Sequence, residues 1–524
     1  MTNIILVGAK YLIIVLFAYF TYISFRAQRD VPEERKKFTY NVQRALLLIV
    51  HGLGYLCIFL NVASGFITSM TVWQVLAFYG GQLLYLLFML YVLPRFVSLS
   101  KGLNNVLCMF LTITFIIQNR LNFENSVRHF IIIVISTLGF IAIQFVCKKV
   151  KFMNRLTWVY CAVGILMLLL VLVLARVVKG AKLAIDLGFF SFQPMEFVKI
   201  IFVLFIASAF HKANNFKTII ITACMAAAHV IIVVLCKDLG SALILSVIYI
   251  LMLYVATKKF RYILIGLGMA AVFGFAAFKL FSHVQVRISA WLDPWADIEQ
   301  GGYQITQSLF AIGTGGWFGT GLYKGAPRYV PEVSNDFIFS AISEELGGFF
   351  GILLILLCLC FTLMIFRVAI RVDKPFYKLT AFGLGTAYAF QVFLTIGGAL
   401  KFIPSTGVNL PFISNGGSSM LASMLMIGIV QALYVISEAD VARERQMVAD
   451  GADLSEFSGY EDVNVKKVTL QTPDEPGEMS EYYEPFEVDY KTIYYEEGRV
   501  KKIDPDEFSP YEDKVIKVDS NRFD

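Results

Sequence analysis

Long apolar runs alternate with short polar segments along the whole chain. Each of the thirteen longest runs has enough apolar residues, or nearly enough, to cross about 30 Å of hydrocarbon as a helix. The runs are continuous rather than alternating in hydropathy, and open sheet edges do not occur in lipid, so the pattern predicts helices and not a β-barrel. The predicted spans are roughly 3–26, 44–67, 73–98, 103–118, 129–147, 156–178, 195–210, 218–235, 239–257, 261–282, 336–366, 378–400 and 417–437.

The composition agrees with a membrane protein. Of 524 residues 57% are hydrophobic, and the mean hydropathy is +0.68, which soluble domains do not reach. Six of the eight cysteines lie inside apolar runs, where cysteine behaves as a small hydrophobe, so we predict no disulfide framework and no cysteine metal site. The first apolar run is long and lacks a small-residue cleavage site, so we expect it to be retained as a helix.

Lysine and arginine are divided unevenly between the two alternating sets of loops. One set holds 21 of them and the other ten. Because positive loops stay in the cytoplasm, this bias predicts that the richer set is cytoplasmic. The amino terminus is then outside and the carboxyl terminus inside. The longest loop, about 283–335, is expected to face outward.

Residues 438–524 differ in composition from the rest of the chain. They hold 24 of the 39 acidic residues and 11 of the 45 basic ones, which gives a net charge of −13. An acidic segment with scattered tyrosines is typical of a disordered tail. A solvated tail and a docking segment for a cytoplasmic partner stay open as alternatives. Unchanged localisation and activity after deletion of 445–524 would exclude docking.

Charged side chains gather at span ends on the predicted outer side. Charges at membrane depth are costly and often functional. Glu196 and Lys199 are three residues apart, so they share a helix face and can pair. Asp238 and Asp336 stand near helix starts, where a carboxylate can also cap free N–H groups. With the Gly-, Pro- and Ser-rich segment 403–419, they predict one polar cavity open to the outer leaflet.

The outer loop contains the segment LDPWADIEQGGYQ, residues 292–304. Asp293 precedes Pro294 and can simply initiate a turn. Asp297 has no cap or helix partner evident from the sequence, so it is the best candidate for chemistry in this loop. The apolar spacing after residue 304 predicts a short helix that dips into the membrane interface.

Three blocks of sequence, in the same order, resemble the SEDS family of shape, elongation, division and sporulation proteins, which includes RodA and FtsW. FSFQPMEFVKI resembles the family's FQPSE block, and PSTGVNLPFISNGGSS resembles its PTTGLTLPFISYGGSS block. Between them, RISAWLDPWADIEQGGYQITQSLFAIGTGGWFGTGL and YVPEVSNDFIFSAISEELG resemble its extracytoplasmic loop. CKDLGSALIL is a looser match to PDLGTA. The resemblance covers about 103–437, with departures such as Ile298 for a proline and Asn415 for a tyrosine.

The resemblance implies an all-α polytopic membrane protein with a SEDS-like ten-helix core at 103–437. About three extra transmembrane helices at 1–102 would precede this core, and the acidic tail would follow it. The implied activity is an inverting peptidoglycan glycosyltransferase that polymerises lipid II at the outer face of the bacterial cytoplasmic membrane, for cell division or cell shape. The implied partner is a class B penicillin-binding protein, a transpeptidase, and no nucleic-acid partner is expected.

The family's essential aspartate falls on Asp297, which we expect to act as general base. The lipid pyrophosphate leaves as a stable anion, so one carboxylate can suffice, unlike the pair in glycosidases. Its charge requires cations from the protein, or a divalent cation, Mg²⁺ or Mn²⁺, as a candidate cofactor. The predicted substrate-binding residues are Lys182, Gln193, Glu196, Lys199, Lys237, Asp238, Arg287, Tyr303, Gln304, Gln307, Lys324, Asp336, Glu345, Lys401, Thr406, Ser414, Ser418 and Ser419.

Two other functions fit the same sequence. A helical bundle with charges at membrane depth and helices broken at Pro and Gly is also typical of a lipid-linked precursor flippase. A non-enzymatic divisome or elongasome scaffold is the second alternative. Transport would depend most on residues such as Glu196 and Lys199, whereas glycosyl transfer would depend most on Asp297.

Overall fold

The computed structural model describes residues 2–29, 32–150, 152–175, 177–178, 181–182, 185–186, 191–212, 215–449, 493–496 and 499–502. Thirteen helices are long and apolar enough to cross a membrane, so the predicted number of spans is confirmed. The protein is an all-α, multi-pass membrane protein. The chain forms two compact units, residues 1–438 and 439–524.

Three spans precede the region in which the sequence resembles a family. They are α1 (Thr2–Arg26), α2 (Glu33–Ala63), and α3 (Val72–Leu87), which continues through a π-helical turn at Phe88–Val92 into α4 (Leu93–Phe96). A capping box between Thr71 and Gln74 starts α3. Pro94 has no N–H to donate to the carbonyl four residues before it, which accounts for the π turn at this point.

Ten further spans follow. They are α5 (Lys101–Leu121), α6 (Phe123–Lys149), α7 (Thr157–Leu174), α8 (Pro194–Lys212), α9 (Phe216–Leu235), α10 (Leu239–Thr257), α11 (Arg261–Leu280), α15 (Gly348–Arg371), α16 (Pro375–Ala399) and α17 (Gly417–Ala449). The most enclosed is α5, because α2, α6 and α15 pack around it and every residue from Gly102 to Asn119 is buried. By contrast, α11 has no buried residue. The two spans predicted to be short, α5 and α8, have 21 and 19 residues, which is enough to cross a membrane.

The first helix packs along α15. The rings of Phe17 and Phe350 stack with their centroids 4.2 Å apart. Gln28, just beyond the end of α1, donates to the carbonyl oxygen of Cys360 at 3.3 Å. The amino-terminal helices are therefore part of the same packed unit as the later spans.

The long outer loop contains three short helices, α12 (Ser282–Leu292), α13 (Tyr303–Gly315) and α14 (Ile338–Leu346). The predicted helix after residue 304 is present as α13, which packs against α14. The predicted span 336–366 is wrong, because the helix is interrupted at Gly347 and the spanning helix α15 begins after it. Gly347 has φ of 94°, and a Cβ there would lie 2.4 Å from the backbone nitrogen of Gly319.

Strands are few and short in the described residues. Between α7 and α8, β1 (Val177–Val178) pairs with β2 (Ala181–Lys182), and β3 (Ile185–Asp186) pairs with β4 (Ser191–Phe192), both antiparallel. In the second unit, β5 (Ile493–Glu496) pairs with β6 (Arg499–Lys502). Most other residues of the tail lie outside the described ranges, so its predicted disorder stays a prediction.

Candidate functional site

Asp297 lies in a tight turn between α12 and α13, and its side chain is exposed. The N–H of Gly301 donates to Oδ2 of Asp297 at 2.9 Å, and the N–H of Gly302 donates to its carbonyl oxygen at 2.8 Å. The exposed carboxylate is thus held by one hydrogen bond, at Oδ2. Asp293 accepts from the N–H of Trp295 at 3.1 Å, which is the turn-initiating role considered for it.

The glycine pair is explained by close approach within this turn. A Cβ on Gly302 would lie 2.1 Å from the carbonyl oxygen of Pro294. A Cβ on Gly301 would lie 3.3 Å from Oδ2 of Asp297. Only glycine at 302 allows the chain to fold back on itself here. The pair therefore shapes the turn that presents Asp297.

The last outer loop, residues 400–416, is bound to α12. The indole nitrogen of Trp291 donates to the carbonyl oxygen of Lys401 at 3.2 Å, and Lys401 Nζ lies 3.4 Å from the carbonyl oxygen of Leu292. Arg287 donates to the carbonyl oxygen of Ser405 at 3.3 Å. Two of the predicted cations, Arg287 and Lys401, therefore join α12 to this loop.

Gly407 lies where two predicted site residues meet. A Cβ on Gly407 would lie 3.7 Å from Nη2 of Arg287 and 3.8 Å from Oδ2 of Asp336. Asp336 is thus beside the last outer loop, one residue before the N-cap position of α14, which Phe337 occupies. Asp336 therefore lies near the start of α14, as predicted, but not at its N-cap position.

Lys199 is the centre of a buried polar network. Its Nζ lies 2.7 Å from Oε2 of Glu196, the predicted partner, and 2.7 Å from Oε1 of Gln391 on α16. Gln391 in turn donates to the carbonyl oxygen of Asn409 at 2.9 Å. The side chains of Lys199 and Glu196 are 8% and 13% exposed. A paired and hydrogen-bonded arrangement of this kind is what makes buried charge tolerable.

Asp238 caps α10, as considered from the sequence. Its Oδ1 accepts from the N–H of Ser241 at 3.0 Å and its Oδ2 accepts from the hydroxyl of Ser241 at 2.7 Å. Burial raises the pKa of the Asp238 carboxyl, while these two hydrogen bonds oppose the shift; the charges of Glu196 and Lys199 also act on it. The N-terminus of α10 therefore adjoins the Lys199 network.

The start of α10 also meets the last outer loop. A Cβ on Gly240 would lie 2.5 Å from Val408 and 3.1 Å from the carbonyl oxygen of Thr406. The hydroxyl of Thr406 is buried and has no hydrogen-bond partner among the described residues. Through this loop the Lys199 network, Asp238, Asp336 and Arg287 form one continuous group. We call it the outer polar group.

Two predicted serines hold the last outer loop in place. Ser414 accepts from the N–H of Leu410 at 2.8 Å and donates to the carbonyl oxygen of Asn335. Ser418 accepts from the N–H of Gln193 at 3.0 Å. Ser419 is buried. These contacts make the SNGGSS segment a structural support for the outer polar group.

Glu345 belongs to a different cluster. Its Oε1 accepts from Nε of Arg120 at 2.8 Å and from the N–H of Tyr323 at 3.2 Å. The guanidinium of Arg120 lies over the ring of Tyr323, 4.5 Å from its centroid. Burial raises the pKa of Glu345 to about 7, against the opposing effect of Arg120. Glu345 therefore anchors the glycine-rich segment 315–325.

The remaining predicted residues are less tightly grouped. Lys237 is exposed, and its charge, with that of Arg287, adds to burial in lowering the pKa of His283. Lys324 is exposed beside Lys10 of α1. Tyr303 is exposed at the start of α13, with Gln304 and Gln307 partly buried. The backbone of Lys182 pairs with Val177, and its side chain lies outside the described part of the chain.

Among the described residues, Asp297 makes no hydrogen bond to the outer polar group. Its described hydrogen bonds are with the backbone of its own turn. Helix α12 connects the two, because it contains Arg287 and ends at Leu292, shortly before the turn that contains Asp297. A cavity of about 420 Å³ near α5, α6 and segment 328–334 contains none of the predicted site residues. Among the predicted residues, Glu196 pairs with Lys199, Asp238 bonds to Ser241, and Arg287 and Lys401 bond to backbone carbonyls.

Sequence reasoning missed Gln391, Asn409 and Arg120. A lone glutamine inside the apolar span 378–400 was the available signal for Gln391. The partners of Arg120 and Asn409 lie far away in sequence, so no local pattern indicates them. Among the described residues, no three His, Cys, Asp or Glu side chains come together as a metal site would. The need for a divalent cation stays a prediction, and no step below depends on one.

Comparisons with known proteins agree with this arrangement. Residues 95–438 match the model of the cell cycle protein family that groups FtsW, RodA and SpoVE. All ten spans from α5 onward begin within these residues. The first three spans begin before them.

Several relatives are similar over the same region. The peptidoglycan glycosyltransferase RodA of Mycobacterium tuberculosis strain H37Rv is 40% identical over 273 residues, which are 48% of this chain and 57% of the relative. The stage V sporulation protein E of Bacillus subtilis strain 168 is 33% identical over 305 residues, 56% of this chain and 83% of the relative. The match thus spans little more than half the length of the mycobacterial RodA.

Solved structures share the fold. A chain of a peptidoglycan synthase complex aligns with a TM-score of 0.55 and 24% identity, over 65% of this chain and 99% of that chain. A variant of RodA from Thermus thermophilus aligns with a TM-score of 0.50 and 24% identity, over 65% and 98%. The length and identity of the sequence matches decide the family. The chain belongs to the family of FtsW-, RodA- and SpoVE-like cell cycle proteins.

Proposed function

We propose that the protein is a peptidoglycan glycosyltransferase that polymerises lipid II into glycan strands at the outer face of the bacterial cytoplasmic membrane. Relatives that carry this activity in their names support the proposal. The observation that carries it is the exposed carboxylate of Asp297, held by the N–H of Gly301 at 2.9 Å. A fixed carboxylate facing water beside the bilayer surface suits proton transfer from a sugar hydroxyl.

The proposed orientation places the amino terminus outside and the carboxyl terminus in the cytoplasm. The division of loop lysines and arginines, 21 against ten, supports it. Most of these residues that the structure describes lie in the connections between spans or in the helix turns next to them. Asp297 then faces the side on which a lipid-linked sugar would be exposed to the polymerase.

The proposed reaction needs one base. Asp297 takes the proton from the acceptor sugar's hydroxyl as that oxygen attacks the anomeric carbon of the donor. The bond between this carbon and the pyrophosphate oxygen breaks, and the lipid pyrophosphate leaves with the electron pair, so the configuration inverts. Lys237, Arg287 and Lys401 lie on or beside α12 and can stabilise the charge that develops on the pyrophosphate.

A class B penicillin-binding protein is the proposed partner. The fold is shared with a chain of a peptidoglycan synthase complex whose structure concerns the coordination of polymerization and crosslinking. A glycosyltransferase that makes uncross-linked strands requires a transpeptidase to join them. Roles in cell division and in cell shape are both compatible with relatives named FtsW and RodA.

Transport of a lipid-linked precursor is the second candidate. The buried Lys199–Glu196 pair in α8, at 2.7 Å, favours it, because ionisable residues inside membrane helices often lie on transport pathways. The two side chains, however, are bonded to each other, and Lys199 is also bonded to Gln391. A moving substrate would have to break this network.

The test is polymerisation of purified lipid II by the full-length protein, co-purified with its penicillin-binding protein and reconstituted in liposomes. Glycan strands on a gel, in the absence of any other polymerase, are the expected result. Transfer of a labelled lipid II across the bilayer without strands would overturn the proposal in favour of transport. Neither strands nor transfer, from folded protein with bound partner, would favour a scaffold.

A further inference from the structure

A basic pocket lies at the end of the bundle where most loop lysines and arginines are found. Its volume is about 270 Å³, and it is lined by the ends of α1, α2, α5, α15 and α17. It thus lies where the amino-terminal helices meet the family-matched helices. Five cationic side chains line it: Lys36, Lys37, Lys101, Arg367 and Arg371.

Five cations and one carboxylate line the basic pocket. Glu438 is the one carboxylate among the residues that line it. Glu438 pairs with Arg371 at 3.3 Å, but their side chains are 51% and 41% exposed, and ion pairs this exposed contribute little. Lys37 and Lys101 have no carboxylate partner among the described residues. A compact anion in this cavity would be attracted by several of these cations at once.

The walls of the pocket are held by specific contacts. Gln431 on α17 accepts from the N–H of Ser100 at 2.7 Å and so fixes the segment before α5. A Cβ on Gly102 would lie 3.4 Å from the ring of Tyr40, so α2 and α5 approach closely here. The cations therefore belong to packed helix ends and not to a free loop.

Part of the pocket's lining is apolar. Leu103 and Val368 are buried, Met364 is 8% exposed, and all three line the cavity. A ligand that fits must present a compact anion toward the cations and tolerate hydrocarbon next to it. Phospholipids with an anionic headgroup have this construction, and basic pockets between membrane helices on the cytoplasmic side are known to take such headgroups.

We infer that the basic pocket binds a phosphate-bearing anion, with the phosphodiester of an anionic phospholipid as the source that its apolar wall favours. Lysine and arginine form charge-assisted hydrogen bonds to phosphate oxygens. A phosphate bound here contacts α2, α5 and α15 together and so ties the amino-terminal helices to the rest of the bundle. This inference does not depend on the proposed enzymatic activity.

The experiment measures the thermal unfolding midpoint of the delipidated full-length protein in detergent at fixed ionic strength. Phosphatidylglycerol, phosphatidylcholine or sodium phosphate is added in turn. We expect a saturable rise with phosphatidylglycerol and none with phosphatidylcholine. The pocket variant Lys37→Gln/Lys101→Gln/Arg371→Gln should need about tenfold more phosphatidylglycerol or more, since each surface cation contributes measurably to anionic-lipid binding.

The matched control removes three cations from the same side of the membrane but outside the pocket, as Lys217→Gln/Lys259→Gln/Arg261→Gln. All three are exposed, and its half-saturation point should stay within about twofold of wild type. If the triple pocket variant does not fold, Lys37→Gln alone should weaken the response by about threefold. A rise with sodium phosphate that is lost in the pocket variant would identify a free phosphate as the source. No rise with either anion, or equal responses from the pocket and control variants, would overturn the inference.

Discussion

Nζ of Lys10, in the first transmembrane helix, donates a 2.9 Å hydrogen bond to the carbonyl oxygen of Gly319 in the outer loop. The rings of the adjacent Tyr11 and Phe318 lie 5.7 Å apart. Gly319 in turn reaches Glu345, since a Cβ there would lie 2.2 Å from its carbonyl oxygen. A helix outside the family-matched region therefore supports a segment inside it.

Removal of this contact should loosen the outer loop. Lys10→Met leaves the Gly319 carbonyl without its donor, which costs about 1 kcal/mol and corresponds to about fivefold faster amide exchange. We expect the increase at residues 316–325, measured by hydrogen–deuterium exchange with mass spectrometry. Lys279→Met, in an exposed lysine at the end of α11, is the control and should leave this segment unchanged. Equal exchange in Lys10→Met and wild type would contradict the supporting role.

The turn at Asp297 should tolerate no side chain at residue 302. In Gly302→Ala the new Cβ meets the Pro294 carbonyl at 2.1 Å, so the turn must rearrange, at a cost of about 1–3 kcal/mol. We expect glycan synthesis to fall by about tenfold or more, because misplaced catalytic groups lose rate steeply. Gly313→Ala, whose Cβ meets nothing within 4 Å, should keep wild-type activity. Full activity of Gly302→Ala would show that the turn geometry is unimportant.

The Lys199–Glu196 pair should behave as structure and not as a transport site. Lys199→Met leaves a buried carboxylate unpaired, which costs about 3–5 kcal/mol. The double variant Lys199→Met/Glu196→Gln removes both charges and should recover most of this loss. The measurement is thermal unfolding in detergent of Lys199→Met, Glu196→Gln and the double variant. A double variant that is stable but inactive in glycan synthesis would instead assign the pair to substrate binding.

Stability should depend on the ionisation of Glu345. Its pKa, about 7, lies above the ordinary glutamate value, so the folded state holds its proton more tightly than the unfolded state does. The contribution to stability is complete below the ordinary value of about 4.5 and is lost as the pH rises through 7, up to about 3 kcal/mol in all. Arg120 and Glu344 are the charged groups that act on it, and the backbone N–H of Tyr323 also bonds to it.

The pH dependence can be isolated with Glu345→Gln, which cannot ionise. The wild-type unfolding midpoint should fall between pH 5 and 7.5 relative to that of Glu345→Gln. Glu299→Gln, in an exposed residue of the outer loop, is the control and should follow wild type. Parallel curves for wild type and Glu345→Gln would place the pKa of Glu345 in its usual range.

The sequence was sufficient for the spans because hydropathy is a local property. The ends of α8, α9 and α10 were predicted to within two residues. The error at 336–366 arose because the break at Gly347 depends on the backbone of Gly319, which is distant in sequence. Hydropathy along the chain carries no information about that long-range contact.

In the candidate site, too, local contacts could be predicted from the sequence and contacts between distant residues could not. The Glu196–Lys199 pair follows from helical spacing and was predicted. Arg120 and Glu345 are 225 residues apart, and their contact is set by how α5 and α14 pack. The grouping of the outer residues came from charged side chains at the span ends, a pattern that indicates positions but not contacts. It therefore missed that Glu345 lies away from the outer polar group, with Arg120 and Tyr323.

Asp297 is the centre of the proposed function, and its substitution is the most direct test. The measurement is the rate of lipid II polymerisation by the co-purified complex, for wild type, Asp297→Asn and Glu299→Gln. Asparagine keeps the shape and can still accept from Gly301, but it cannot take a proton. We predict a loss of about 10²–10⁴-fold in Asp297→Asn, the usual contribution of a general base, with Glu299→Gln near wild type. Wild-type rates in Asp297→Asn, with the same thermal stability, would contradict the assignment of the base.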